Sequence, residues 1–308
     1  MQYMKNITLN LFYLANHRQI KCTLISEIDN NGLLLPENTE EVIIKGISTR
    51  DFNVIFADYF NKQVKLLTST PKILYISLWF VVNVLQLNDT NYAVLEIIKE
   101  PENGDEVESR ITFIRTGECF KFLSEQSLSL DKVKSADASM TEFSNNRVLC
   151  SFEGSNKFDL FEINESKIKQ ESRQTETPIR FTTVLPFKSS EIVMASFADN
   201  SLIGLKIDNL EAVIKMNISA GRLLWLPEME LLVVEVLPMH SESENWNMFS
   251  QLEMYRFSKD NHSMEKVDLK IHSEKKIKIE SLAVFGANHL MIFNQVCKGL
   301  QVFRIDYE

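Results

Sequence analysis

A hairpin pattern that recurs six times, at intervals of roughly 40 to 60 residues, constrains the fold of this 308-residue chain more than any other feature. Each copy is a short β-rich run, a polar or Gly-containing break, and a second β-rich run. Asn53 to Leu67 (NVIFADYFNKQVKLL), Arg147 to Ile163, Ile192 to Ile207 and His289 to Ile305 are compact copies. Asn91 to Arg115 and Glu230 to Phe257 share the layout but carry long inserts at the break. In the first copy Val54, Phe56, Val64 and Leu66 alternate with other side chains, the period-two signature of strands, around an Asp- and Asn-containing turn. A lone hairpin is marginal in water, so each copy needs partners on both sides. Strand repeats of this period predict blades of a β-propeller. The runs Ile73 to Leu87, Phe181 to Leu185 and Leu223 to Leu226 supply further strands. The expected fold is therefore all-β, a six-bladed β-propeller of four-stranded antiparallel blades, with a seven-bladed WD-repeat-like ring as runner-up.

Composition fits one large unit over 1–308. Hydrophobic residues make up 44 % of the chain and charged residues 24 %, enough apolar surface for a packed core. Within residues 1–40, strands that close the ring are expected, with Ile7 to Tyr13 pairing near the C-terminal run Leu300 to Ile305. The run Ile73 to Leu87 is interrupted by Ser77, Asn83 and Gln86 and reads as buried strands rather than a membrane span. No signal-peptide pattern opens the chain, and four scattered cysteines do not make a disulfide scaffold, so a cytoplasmic protein with free thiols is expected. A net charge of −9 opposes nucleic-acid backbones and anionic lipid. Ser166 to Thr177 is polar and without periodicity, and reads as a connection between blades. Trp79 and Trp225 read as core, and the alternating Lys275-Lys276-Ile277-Lys278-Ile279 as an exposed strand.

The segment Phe56 to Leu67, FADYFNKQVKLL, resembles the strand-turn-strand core of the NHL repeat. In that repeat an Ala-Asp pair closes one strand, an Asn-Lys or Asn-Arg turn follows, and Val-x-Leu opens the next. Ala198-Asp199-Asn200 and Asn156-Lys157 are fainter echoes. The hairpin series is similar to the divergent propellers of tripartite-motif NHL proteins. Over roughly Glu41 to Glu308 this resemblance implies a six-bladed, non-enzymatic propeller that binds protein or RNA. The zinc-binding RING and B-box modules of those proteins have no counterpart here, since no C-x2-C spacing occurs.

Catalytic motifs are absent: there is no H-E-x-x-H, G-x-S-x-G, G-x-G-x-x-G or phosphate-loop pattern, and the five histidines are far apart. No cofactor or metal is expected. The enzymatic alternative is a metal-dependent lactonase-like propeller using Glu96, Glu235 and Asn294, polar residues within apolar strands that suit a hard cation. The favoured reading is an interaction scaffold. Both inserts occur at the same point of the hairpin and so project from one face. Lys99 to Glu108 contributes Glu102, Asp105 and Glu106, while Pro238 to Ser250 contributes Met239, Glu242, Glu244, Trp246, Met248 and Phe249. An apolar tip rimmed by carboxylates calls for a basic protein or peptide partner with an apolar anchor. An RNA-binding NHL-type propeller is the other alternative.

Overall fold

The computed structural model describes residues 19–28, 43–50, 53–68, 72–102, 104–117, 121–143, 147–164, 167–187, 190–237, 251–258, 263–272 and 277–307. Among the described residues it is all-β apart from one short 3-10 turn, Pro227–Met229. The closing strand, β1 (Gln19–Ile28), is taken up last. The first blade is β2 (Ile44–Arg50), β3 (Asn53–Asp58), β4 (Gln63–Leu66) and β5 (Lys72–Ile76). The second is β6 (Phe80–Gln86), β7 (Asn91–Ile97), β8 (Ser109–Thr116) and β9 (Phe122–Ser129). The third is β10 (Ala138–Phe143), β11 (Arg147–Phe152), β12 (Lys157–Asn164) and β13 (Lys167–Gln174). The fourth is β14 (Ile179–Phe187), β15 (Ser190–Phe197), β16 (Leu202–Lys206) and β17 (Ala212–Met216). The fifth is β18 (Ala220–Leu226), β19 (Leu231–Val236), β20 (Gln251–Ser258) and β21 (Ser263–His272). The sixth is β22 (Ile279–Phe285), β23 (His289–Asn294) and β24 (Gly299–Tyr307), completed by β1.

Each blade is an antiparallel meander, and the first strands β2, β6, β10, β14, β18 and β22 touch their neighbours in a closed cycle around an axis. All six repeated hairpins occupy the same place, the second and third strands of a blade. Their alternation places one side chain against the preceding blade and the next against the following one. Val54 and Phe56 pack with Met291 and Phe293 of the sixth blade, whereas Ile55 and Ala57 pack with Val81 and Val94 of the second. Six apolar clusters result, one between each pair of neighbouring blades. Burial of both faces explains why these strands are almost continuously hydrophobic.

Two segments differ from the sequence reading. Ser166 to Thr177 is not merely a connection, because Lys167–Gln174 pairs along its length with β12. The side chains of β13 are mostly exposed, so it lacks the apolar alternation that marks a strand. The sixth blade takes its fourth strand from Gln19–Ile28, antiparallel to β24 and parallel to β21. Ile7 to Tyr13 lies outside the described residues. Trp225 is buried in the cluster between the fourth and fifth blades, while Trp79 is half-buried beneath the Arg110 guanidinium, 4.4 Å from its ring centre. Ile277 and Ile279 are buried at the entry to the inner strand β22, in place of the exposed strand expected there, and Lys275 and Lys276 lie outside the described residues.

A charged ring at the channel mouth as candidate functional site

The six inner strands enclose a channel of about 740 Å³. Its wall mixes hydroxyls such as Ser48, Ser139 and Thr182 with Met140, Leu224 and Leu282. Meander topology puts the start of every inner strand, and every connection between the second and third strands of a blade, on the same face. That face is called the hairpin face below.

At this mouth the inner strands break register with their neighbours. Shifts occur between Ile44 and Gly46, Val81 and Asn83, Ile179 and Phe181, Ala220 and Leu223, and Ile279 and Ser281. Each is a β-bulge, which releases a residue from the ladder and re-aims its side chain. The released residues are Lys45, Val82, Arg180, Arg222 with Gly221, and Glu280. In the third blade, which has no bulge, Asp137 stands just before β10. Five of the six blades therefore place an ionisable residue at one level around the axis.

These groups interlock. The Lys45 ammonium lies 2.9 Å from Asp137 Oδ1 and 2.5 Å from Glu280 Oε1. The Arg222 guanidinium reaches Asp137 at 3.6 Å, Glu235 at 3.3 Å and Glu280 at 4.0 Å. Arg180 instead donates to Ser219 Oγ at 3.1 Å and Asn200 Oδ1 at 3.4 Å. Burial alone would push the Asp137 carboxyl up, but Lys45 and Arg222 together hold it below its ordinary value. Glu153, across a backbone hydrogen bond from Asp137, is pushed up by burial and by the Asp137 charge. The same carboxylates hold the Lys45 ammonium above its ordinary value despite its burial.

The three residues of the metal alternative do not converge. Glu96 is taken by Arg110 at 2.8 and 3.1 Å and by the hydroxyls of Ser77 and Thr112. Glu235 belongs to the ring through Arg222. Asn294 accepts the N–H groups of Lys278 and Val296 and donates to Gln301. No group of three metal-ligating side chains occurs among the described residues. Of the expected partner-binding residues, Glu102, Asp105 and Glu106 are exposed on the hairpin face. Met239, Glu242, Glu244, Trp246, Met248 and Phe249 lie outside the described residues. Sequence reading singled out Glu235 but missed Lys45, Asp137, Arg222 and Glu280. Their signal is an ionisable residue at the threshold of five of the six inner strands, interpretable only once the blades are in register.

No helix among the described residues is long and apolar enough to cross a membrane. No family model and no curated protein matches the chain. Solved structures do share its fold. A putative 6-phosphogluconolactonase from Bacteroides fragilis aligns with a TM-score of 0.58 at 12 % identity, over 88 % of this chain and 82 % of that one. A chain of the mitotic checkpoint complex aligns at 0.57 and 11 %, over 100 % and 99 %. The WD40 domain of Pan2 from Neurospora crassa aligns at 0.57 and 8 %, over 94 % of each. The expectation of a non-enzymatic propeller is overturned by the first of these, since the architecture is shared with a lactonase-type protein and does not separate scaffold from enzyme. At these identities the likeness is one of fold, and the fold is a β-propeller.

Proposed function

We propose that this chain is a protein-interaction platform that takes a basic partner on its hairpin face. The observation that supports this most is the 98–108 connection, which stands on that face with Glu100, Glu102, Asp105, Glu106 and Glu108 exposed against one lysine, Lys99. Loops on a rigid scaffold are the usual carriers of recognition, and a field of one sign steers partners of the other. Trp246, Met248 and Phe249 of the second insert are the proposed apolar anchor, with Met239, Glu242 and Glu244 around them. The fold relationship to a checkpoint-complex chain and a WD40 domain is in keeping with such a role. The test is affinity capture on the tagged full chain, run beside Glu102→Lys/Asp105→Lys/Glu106→Lys and Trp246→Ala. The expected result is a set of basic proteins lost from both variants at unchanged melting temperature. Capture of the same set by all three chains, or of RNA in place of protein, would overturn the reading.

A second reading is hydrolysis of a small ester or lactone in the channel, favoured by its volume and by the charged ring at its mouth, behind which Glu153, outside the channel wall, has its carboxyl raised by burial. A carboxyl raised by burial and a neighbouring charge is shifted in the direction that general acid work requires. Turnover of lactones above the buffer rate that Glu153→Gln abolishes would place catalysis first.

A further inference from the structure

We infer that the partner's landing site lies where the first and second blades meet on the hairpin face: a basic peptide segment seats one large apolar side chain on Phe60, Leu78 and Ile98, against the carboxylates of the 99–108 connection. This rests on the platform reading above and adds to it a place and an occupant. Leu78 is 88 % exposed, Ile98 43 % and Phe60 37 %. Single exposed apolar residues need no explanation, but these three stand on connections of two adjoining blades at the same face. Phe60 packs edge-on to Tyr59 at 5.2 Å, and Tyr59 packs on Phe80 at 4.9 Å. Phe80 pairs with Ile97, so the segments that carry Leu78 and Ile98 leave the sheet at the same end.

The patch is also fixed in place. Ser77 donates its N–H to the Lys62 carbonyl at 2.9 Å, and its Oγ accepts the Trp79 N–H at 2.8 Å, so the turn carrying Leu78 is tied on both sides. The Ile98 N–H donates to the Glu108 carbonyl at 3.0 Å, and Val107 exchanges two backbone hydrogen bonds with Val133, which anchors the acidic connection. A surface already ordered loses little entropy on binding, so its apolar area converts efficiently to affinity.

Charge selects the occupant. The 99–108 segment holds five carboxylates and one lysine, with Lys134 against Glu106 at 3.6 Å and Lys62 over the Phe80 ring at 4.5 Å. Burial, and after it the nearby Glu100 charge, raise the Tyr59 phenol. The excess is negative and favours lysine or arginine flanking an apolar anchor. Nucleic acid is repelled, and a second copy brings the same −9.

The test is selection of a phage-displayed random peptide library on the immobilised full chain, followed by fluorescence anisotropy of the enriched peptides as synthetic ligands. Leu78→Ser/Ile98→Ser changes only exposed side chains, and its melting curve should overlay the parent. Enriched peptides are expected to be net basic with a Leu, Phe or Trp. Their affinity should fall about tenfold or more on Leu78→Ser/Ile98→Ser, and on Glu102→Lys/Asp105→Lys mainly at low salt. Peptides bound equally by the parent and the serine variant would overturn the landing site while leaving the platform reading intact. Enrichment of acidic peptides would overturn both. No enrichment at all would overturn the landing site, with the capture experiment left to decide the platform reading separately.

Discussion

Asp58 and Lys65 are both fully buried and lie 2.5 Å apart at the turn between β3 and β4. Asn61 Nδ2 donates to both Asp58 oxygens at 3.1 Å, and Lys62 takes the left-handed conformation at φ 54°, so the Asp-x-x-Asn-Lys run holds the turn by its own hydrogen bonds. Burial outweighs these partners and leaves the Asp58 carboxyl raised. Removing the ammonium strands a charge in the interior. Lys65→Met is therefore expected to lower stability by about 3 to 5 kcal/mol, while Asp58→Asn/Lys65→Met should recover part of the loss. Urea denaturation of the two variants decides this, and equal stabilities would count against it. The aspartate's turn role was legible in FADYFNK. The burial of Lys65 was not, because a lysine in Val-Lys-Leu reads as the solvent side of a strand until the neighbouring blade covers it.

At the scale of the element, β1 is the instructive strand. It completes the sixth blade through β24, and its parallel pairing with β21 joins the fifth and sixth blades into one eight-stranded sheet. Ile20 and Cys22 enter the cluster between those blades beside Val267, Leu290 and Phe303. Two otherwise open sheet edges are covered by this arrangement. Ile20→Ala is expected to cost about 2 to 5 kcal/mol, as for other fully buried aliphatic positions, and to raise proteolytic nicking of β24 in limited digestion. A variant as resistant as the parent would argue that β1 adds little to closure. Its outer residues Ile25, Ser26 and Glu27 are exposed, as most of β13 is, which leaves the strand faint in the sequence.

Over the whole molecule, the charged ring ties the first, third, fifth and sixth blades across the axis. Asp137 is its hub, bound by Lys45 and Arg222. A carboxyl held below its ordinary value of 3.8 contributes stability that is present above that value and lost as the pH falls through the lowered one. Asp137→Asn should lower stability at pH 7 by about 1 kcal/mol, the scale of partly exposed pairs. The difference from the parent should shrink as the pH falls below 3.8. Thermal melts from pH 7 to pH 3 provide the measurement, and a pH-independent difference would mean that Asp137 acts through packing instead.

The sequence by itself determined the hairpins, their sixfold recurrence and the all-β architecture, because two-faced burial writes a dense apolar alternation into the second and third strands of each blade. It also placed the acidic connection on one face, since topology alone assigns equivalent breaks to equivalent positions. Only the tertiary structure decided the rest. Lys45, Asp137, Arg222 and Glu280 are separated by up to 235 residues and become neighbours through bulges at the threshold of three inner strands and the unbulged entry to a fourth. Leu78 and Ile98 are brought to one end of the second blade by the pairing between β6 and β7. Contacts of that kind depend on register and ring closure, which no local pattern of residues encodes.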